Sequence, residues 1–294
     1  MIPAAFKYAA PTSIAEAIAL LQGRDGDAKV LAGGHSLLPL MKLRLTSPAV
    51  LVDINRIEGL NDLREDLGMG RLRIGALTRH IDFERSDLIR ERYPLLHDAA
   101  CGIGDPQVRN RGTMGGSLAH ADPASDWPAV LLATGGELVA VGPGGERIIQ
   151  ADAFLLDTFS TALASDELLT EIRLPLAASR SGGAYEKLER KVGDYATVGI
   201  AVQVTLGASG VIEAIGIGMC NVGPVSIKAR QAEAALSGRE PGDGAIAEAA
   251  RLAMEESQPS SDDRGPKEYK RAMVKELTKR ALRRGLDRAQ GGMS

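Results

Sequence analysis

Thr113-Met114-Gly115-Gly116-Ser117-Leu118-Ala119-His120-Ala121-Asp122-Pro123-Ala124-Ser125-Asp126 is the stretch on which the reading of this chain turns. Two adjacent glycines leave backbone N–H groups uncovered, because no Cβ stands between them and an approaching ligand. Hydroxyl residues flank the pair, and such a run folds either into a plain turn or into a concave nest of N–H donors suited to phosphate. The carboxylates Asp122 and Asp126 follow at once. A diphosphate would therefore rest on neutral amides, with a carboxylate left to accept sugar or polyol hydroxyls.

A second stretch, Ala32-Gly33-Gly34-His35-Ser36-Leu37-Leu38-Pro39, repeats the pattern upstream. It follows the apolar run Val30-Leu31, so its glycines fall where a strand ends and the chain turns. Two paired-glycine loops, each with a hydroxyl beside it, can grip one extended ligand from two sides. The usual dinucleotide fingerprint G-x-G-x-x-G and the phosphate loop G-x-x-x-x-G-K-[ST] are both absent from the sequence.

Both loops, their order and their separation, together with Ala121-Asp-Pro-Ala-Ser-Asp126, resemble the FAD-binding medium subunits of molybdenum hydroxylases. Within that family the resemblance points to the carbon monoxide dehydrogenase branch of the xanthine dehydrogenase flavoproteins. It covers nearly the whole chain, from Pro3 to the C-terminal helices. The resemblance implies an α+β fold: a two-lobed FAD-binding domain of the vanillyl-alcohol-oxidase/PCMH type over residues 1–176, then a C-terminal antiparallel sheet with helices over 177–294. The lobes, a small α/β unit and a mixed-sheet unit, are expected at about 1–56 and 57–176. The resemblance assigns Lys29, Ala32, Gly33, Gly34, His35, Ser36 and Leu37 to one side of the cofactor. Thr113, Gly115, Gly116 and Ser117 take the other, Asp126 is the hydroxyl-binding carboxylate, and Ile103 gives an apolar contact. Lys187 and Tyr195 are expected near the isoalloxazine, the tyrosine over the ring and the lysine as a cation favouring negative charge on it. Gly33→Val and Gly116→Val are expected to place a branched side chain where the diphosphate lies.

Composition sets the remaining bounds. The chain has 294 residues, 44% hydrophobic and 25% charged, with a net charge of −3, an ordinary globular composition long enough for two domains. Lack of a basic excess and 3% aromatic residues exclude a nucleic-acid surface. No apolar run approaches the ~20 residues that span a bilayer, and Met1–Lys7 does not read as a signal peptide, so a cytoplasmic location is expected. Cys101 and Cys220 are expected as two buried thiols. They cannot build an iron–sulfur cluster, and none of the four histidines has metal-ligand spacing. Molybdopterin and 2Fe-2S clusters are therefore expected on partners, a large molybdopterin-binding subunit and a small iron–sulfur subunit. The chain would pass electrons from those clusters through FAD to an external acceptor. A stand-alone FAD oxidoreductase, a non-catalytic FAD-binding assembly protein and a phosphate-binding enzyme without flavin stay open as other readings.

Along the chain, Ser13-x-x-Glu16 reads as a capping box, followed by the helical stripe Ile14, Ala17, Ile18 and Leu21. Strands are expected at Lys29–Leu31, Val50–Ile54, Leu72–Ala76, Asp166–Pro175, Tyr195–Leu206 and Val211–Met219. Glu137–Val141 and Arg147–Ile149 form a hairpin. Thr78 is an N-cap candidate, Ala177–Gly183 a domain junction, and Glu255–Pro266 a mobile polar linker. Helices are expected at Ile227–Leu236, Ile246–Met254 and Lys267–Ala289, the last with Tyr269, Met273, Leu277 and Leu282 near one face and a solvated basic surface.

Overall fold

A computed structural model describes residues 2–24 and 26–291. The first lobe contains β1 (Lys7–Ala9), α1 (Ile14–Leu21), β2 (Ala28–Leu31), α2 (Leu37–Lys42) and β3 (Val50–Asp53). Ser13 caps α1 by accepting from Glu16 N–H at 3.2 Å, and Glu16 reaches back to Thr12 N–H at 2.8 Å. Ala17, Ile18 and Leu21 are buried. The strands pair in parallel, order β1-β3-β2, so α1 and α2 are crossovers. Ile54 leaves the expected strand and opens a 3-10 turn instead.

The second lobe is built on a five-stranded antiparallel sheet of order β4-β5-β10-β6-β7: β4 (Leu63–Asp66), β5 (Arg71–Gly75), β6 (Glu137–Gly142), β7 (Gly145–Gln150) and β10 (Leu168–Pro175). Its helices are α3 (His80–Arg85), α4 (Asp87–Arg92), α5 (Pro94–Cys101), α6 (Pro106–Arg109), α7 (Met114–His120), α8 (Asp126–Thr134) and α9 (Ala151–Phe154), with the small pair β8 (Leu155–Asp157) and β9 (Ser160–Thr161). Thr78 does not cap α3. The chain remains extended for one more residue, Arg79 N–H is capped by Asp82 at 2.8 Å, and the buried Thr78 hydroxyl donates to Asp62 O.

The third unit contains β11 (Ser181–Leu188), β12 (Val198–Leu206), β13 (Ile212–Cys220), β14 (Ile227–Lys228), α10 (Arg230–Leu236), α11 (Asp243–Glu256) and α12 (Lys267–Ala289). The sheet is antiparallel throughout, in chain order. Tyr195–Thr197 precede β12 rather than belonging to it, and Ile227–Lys228 form a strand before their helix begins. Glu255–Pro266 is tied down: Lys270 pairs with Asp262 at 2.6 Å, Arg264 donates to Tyr195 O at 2.6 Å, and Gln258 N–H donates to Val222 O at 2.6 Å. On α12, Leu277 and Leu282 are buried, but Tyr269 is 42% exposed; Lys270 takes the buried place beside it. Cys101 is exposed, its sulfur 3.7 Å from His97 Nε2, whereas Cys220 is buried.

Period-two alternation gives the third sheet two different faces. Val198, Ile200, Val202, Val204, Ile217 and Met219 pack under α10, α11 and α12, forming one core. Ala201 and Cys220 face the other way and join the core of the second lobe. Between them lies α8, buried all round from Asp126 to Ala133, the pattern of a helix sandwiched between layers. Gly216 and Gly218 let it settle against β13: a Cβ at either would stand 1.9 or 2.0 Å from the carbonyl oxygen of Ala133 or Ala129.

Candidate functional site

The two glycine motifs, about eighty residues apart in sequence, touch. A Cβ on Gly33 would lie 2.2 Å from Arg111 O and 2.8 Å from Gly112 Cα, and one on Gly116 would lie 3.4 Å from Ala32 Cβ. Gly33 is therefore a glycine so that the loop Ala32–Ser36 can rest on the backbone leading into Thr113. This corrects the expectation for Gly33→Val, whose side chain would meet protein backbone. Gly116→Val is corrected likewise, since its Cβ would first meet Thr113 Oγ1 at 2.7 Å.

The second motif is a helix start rather than a loop. Thr113 is the N-cap of α7 and accepts from Gly116 N–H at 3.2 Å. Met114 and Gly115 N–H groups donate to Thr78 O and Ala76 O, both at 3.0 Å, and Ser117 N–H donates to Thr113 O at 3.0 Å. These amides are consumed by the fold, so the polar groups the motif has left are the hydroxyls of the buried Thr113 and of the half-buried Ser117. Ser117 Oγ stands 2.5 Å from Ser125 Oγ.

The first motif behaves differently. Among the described residues no acceptor meets the backbone N–H groups of Gly33, Gly34, His35, Ser36 or Leu37. Gly34 has φ +77°, the left-handed value that turns successive amides toward one concavity. Five donors in sequence without acceptors form a cradle that fits a diphosphate. His35 stabilises the turn through Nδ1–H donating to Gly33 O at 3.2 Å. Behind it, Tyr8 O–H donates to Asp53 at 2.6 Å, and Asn55 Nδ2 donates to Asp53 at 2.7 Å and to Ala32 O at 2.9 Å. Burial opposes ionisation of Asp53, but the Tyr8 and Asn55 hydrogen bonds outweigh it and hold the carboxyl below its usual range. Lys29 lies exposed on β2, three residues before Ala32.

Asp126 opens α8 and is buried against the third sheet. Its Oδ1 accepts from Tyr185 O–H at 2.6 Å and its Oδ2 pairs with Lys187 Nζ at 3.2 Å. The Lys187 ammonium also donates to Gly102 O at 2.8 Å, beside the partly buried Ile103. Burial raises the Asp126 carboxyl against the opposing pull of Lys187. It also drives the Tyr185 hydroxyl well above its ordinary value and the Cys220 thiol up to about 12, with the Asp126 charge adding to both.

Tyr195 brings the third unit to the first. The residue is 45% exposed with its hydroxyl beside Ser36, and burial followed by the Asp122 charge raises its pKa. The structure thus gathers Ala32–Leu37, Thr113–Ser117 and Tyr195 on one side, and Asp126, Lys187 and Ile103 on another. Cavities of about 500 Å³ beside Arg180 and about 340 Å³ between Arg92 and Lys228 share no residue with these groups.

Sequence reasoning missed several supporting residues. His80 accepts from Trp127 Nε1–H at 3.1 Å, and burial pulls its pKa down to about 3, with His35 and Arg109 adding to the shift. His80 N–H donates to Gly112 O at 3.0 Å, and Arg79 pairs with Thr113 as an antiparallel bridge, so the start of α3 fixes the approach to α7. A histidine at the first position of a short helix gives no local sign of these partners. Asn55, two residues after Asp53 at a strand end, does carry one, the Asx turn.

Residues 4–177 match the model of the FAD-binding domain in molybdopterin dehydrogenase, and residues 183–284 match the CO dehydrogenase flavoprotein C-terminal domain. The carbon monoxide dehydrogenase medium chain of Hydrogenophaga pseudoflava is 45% identical over 282 residues, 96% of this chain and 97% of that one. Subunit alpha of the 6-hydroxypseudooxynicotine dehydrogenase complex of Paenarthrobacter nicotinovorans is 37% identical over 290 residues, 99% of this chain and 97% of its own length. Among solved structures, the carbon monoxide dehydrogenase of H. pseudoflava lacking the Mo-pyranopterin moiety superposes with a TM-score of 0.94 at 46% identity, covering 98% of this chain and 99% of that chain. Quinoline 2-oxidoreductase of Pseudomonas putida 86 superposes with a TM-score of 0.90 at 32% identity over the full length of both. With both family models in chain order, the chain belongs to the FAD-binding oxidoreductase subunits of the molybdopterin dehydrogenases.

Proposed function

We propose that this chain holds FAD between Ala32–Leu37 and the start of α7, and serves as the electron-transfer subunit of a molybdenum hydroxylase. The observation that carries this reading is the run of N–H groups from Gly33 to Leu37 that meet no acceptor among the described residues, in a loop packed against Arg111–Gly112. Neutral amides suit a diphosphate with Asp122 and Asp126 nearby, because they add no net charge to the site. The Thr113 and Ser117 hydroxyls donate from the opposite side, and the remaining lone pairs of Asp126 accept a ribityl hydroxyl. Lys187, anchored to Asp126 and Gly102 O, places positive charge beside the ring, and Tyr195 covers its exposed face. Lys29, His35 and Ile103 complete the contacts.

When bound, FAD accepts electrons singly and delivers them in pairs, which suits a junction between iron–sulfur clusters and a two-electron acceptor. The sequence has two cysteines, so a four-thiolate cluster must come from another chain. The partners are a large molybdopterin-binding subunit, where substrate is oxidised, and a small iron–sulfur subunit. None of the described helices is long and apolar enough to cross a membrane, and the complex works in the cytoplasm. We divide the chain into a cofactor domain, 1–176, and a C-terminal domain, 177–294.

The test is the visible spectrum of the purified chain before and after incubation with FAD, with the released cofactor identified by mass. Stoichiometric FAD with a flavin spectrum is expected. Colourless protein that takes up no FAD overturns the proposal.

A further inference from the structure

Tyr185 is a buried tyrosine whose hydroxyl meets the Asp126 carboxylate. It sits on β11, two residues from Lys187, and its ring crosses β12 at Gly199. A Cβ on Gly199 would stand 2.2 Å from Tyr185 Oη and 2.6 Å from Cys220 Sγ. The missing side chain is therefore the slot through which the hydroxyl reaches β13 and α8. There Oη lies 2.6 Å from Asp126 Oδ1 and 3.3 Å from Cys220 Sγ. A carboxylate only accepts, so the tyrosine proton points to Asp126, and the thiol proton points to the tyrosine oxygen. The result is a directed chain, Cys220 S–H to Tyr185 O–H to Asp126.

We propose that Tyr185, seated by Gly199 and Cys220, is a positioning residue for the flavin site: it fixes the Asp126 carboxylate so that Oδ2 meets Lys187 and the remaining lone pairs meet the cofactor. This rests on the reading of Asp126 and Lys187 as cofactor contacts. Asp126 arrives on α8 and Lys187 on β11, elements from different parts of the sequence. Without a third group, the carboxylate could rotate about χ2 and still satisfy Lys187. Oδ1 held by Tyr185 removes that freedom, and a preorganised acceptor binds more tightly than one that must be ordered on binding.

The experiment is FAD titration of the full chain and of Tyr185→Phe, Asp126→Asn and the double variant, with the visible circular dichroism of the bound flavin. Tyr185→Phe keeps the ring and removes only the hydroxyl. FAD binding weakened by roughly ten-fold is expected, the size of one buried hydrogen bond, with an altered flavin dichroism. Because Tyr185 acts through Asp126, the double variant should bind as Asp126→Asn does. Unchanged affinity and dichroism in Tyr185→Phe, or penalties that multiply in the double variant, overturn the proposal. If Tyr185→Phe does not fold, Cys220→Ala serves: weakened binding restored in Cys220→Ser supports the chain, and equal binding by the two overturns it. A wild-type chain that takes up no FAD overturns the cofactor reading itself, whereas wild-type binding with an unaffected Tyr185→Phe overturns this inference alone.

Discussion

Replacing Lys187 with methionine tests whether the ion pair at the junction of α8 and β11 holds the site together. Lys187 and Asp126 side chains are 8% and 7% exposed and 3.2 Å apart. At that separation and an effective dielectric constant of about 20, their attraction is about 5 kcal/mol. The cost of removing the ammonium from water offsets part of it. Loss of the partner is nevertheless severe, because Asp126 stays buried and uncompensated, and roughly 3–5 kcal/mol of stability should disappear. Glu189 loses a partner as well: its buried Oε2 lies 3.5 Å from Lys187 Nζ, while its Oε1 accepts from Gly193 N–H. The penalty depends on pH with a definite sign. Burial already raises the Asp126 carboxyl, and without Lys187 the rise is unopposed. A folded-state pKa above the unfolded one means that stability is present at low pH and is lost as pH rises through the folded value. Lys187→Met should therefore be weakest near neutrality and recover on acidification, and Asp126→Asn/Lys187→Met should recover most of the loss at both. Urea midpoints for the wild type and the two variants, near neutrality and about two pH units lower, measure this. A penalty under about 1 kcal/mol, or one that ignores pH, refutes the reasoning.

Other perturbations separate the remaining contacts. His80 titrates near 3 in the fold against 6.5 when unperturbed, so its contribution is present above about pH 6.5 and is lost as pH falls toward 3, at up to roughly 1.4 kcal/mol per pH unit. His80→Gln, which can still accept from Trp127, should flatten that acid limb in tryptophan-fluorescence unfolding curves. Gly218→Ala sets a methyl 2.0 Å from Ala129 O and should cost about 3 kcal/mol as α8 is pushed from the sheet, read as a lowered urea midpoint. Thr113→Ala removes the cap on α7 and should cost about 1 kcal/mol with a lower Tm, while FAD affinity falls because a hydroxyl donor is gone.

Local signals were legible wherever neighbours in sequence are neighbours in space. The Ser13–Glu16 cap, the hairpin of β6 and β7 and the limits of α12 follow from capping, turn chemistry and periodicity within a few residues. The apolar run Trp127–Ala133 is equally plain, yet its reason lies elsewhere, since α8 is apolar all round only because β13 covers the side left free by its own lobe. Gly115-Gly116 reads as a loop because glycine disfavours helix interiors. Ala76 O and Thr78 O, which hold the first amides of α7, are nearly forty residues away.

By itself the sequence determined the order of the elements, the paired-glycine motifs and the family, because each is written in short stretches whose residue types have few other uses. Tertiary structure alone decided which amides stay free to bind, and why Gly33, Gly199, Gly216 and Gly218 carry no side chain. It also decided that Asp126 meets both Lys187 and Tyr185. Each of these depends on backbone from a distant element arriving within van der Waals distance, and no local preference of a glycine, an aspartate or a tyrosine encodes which element that will be.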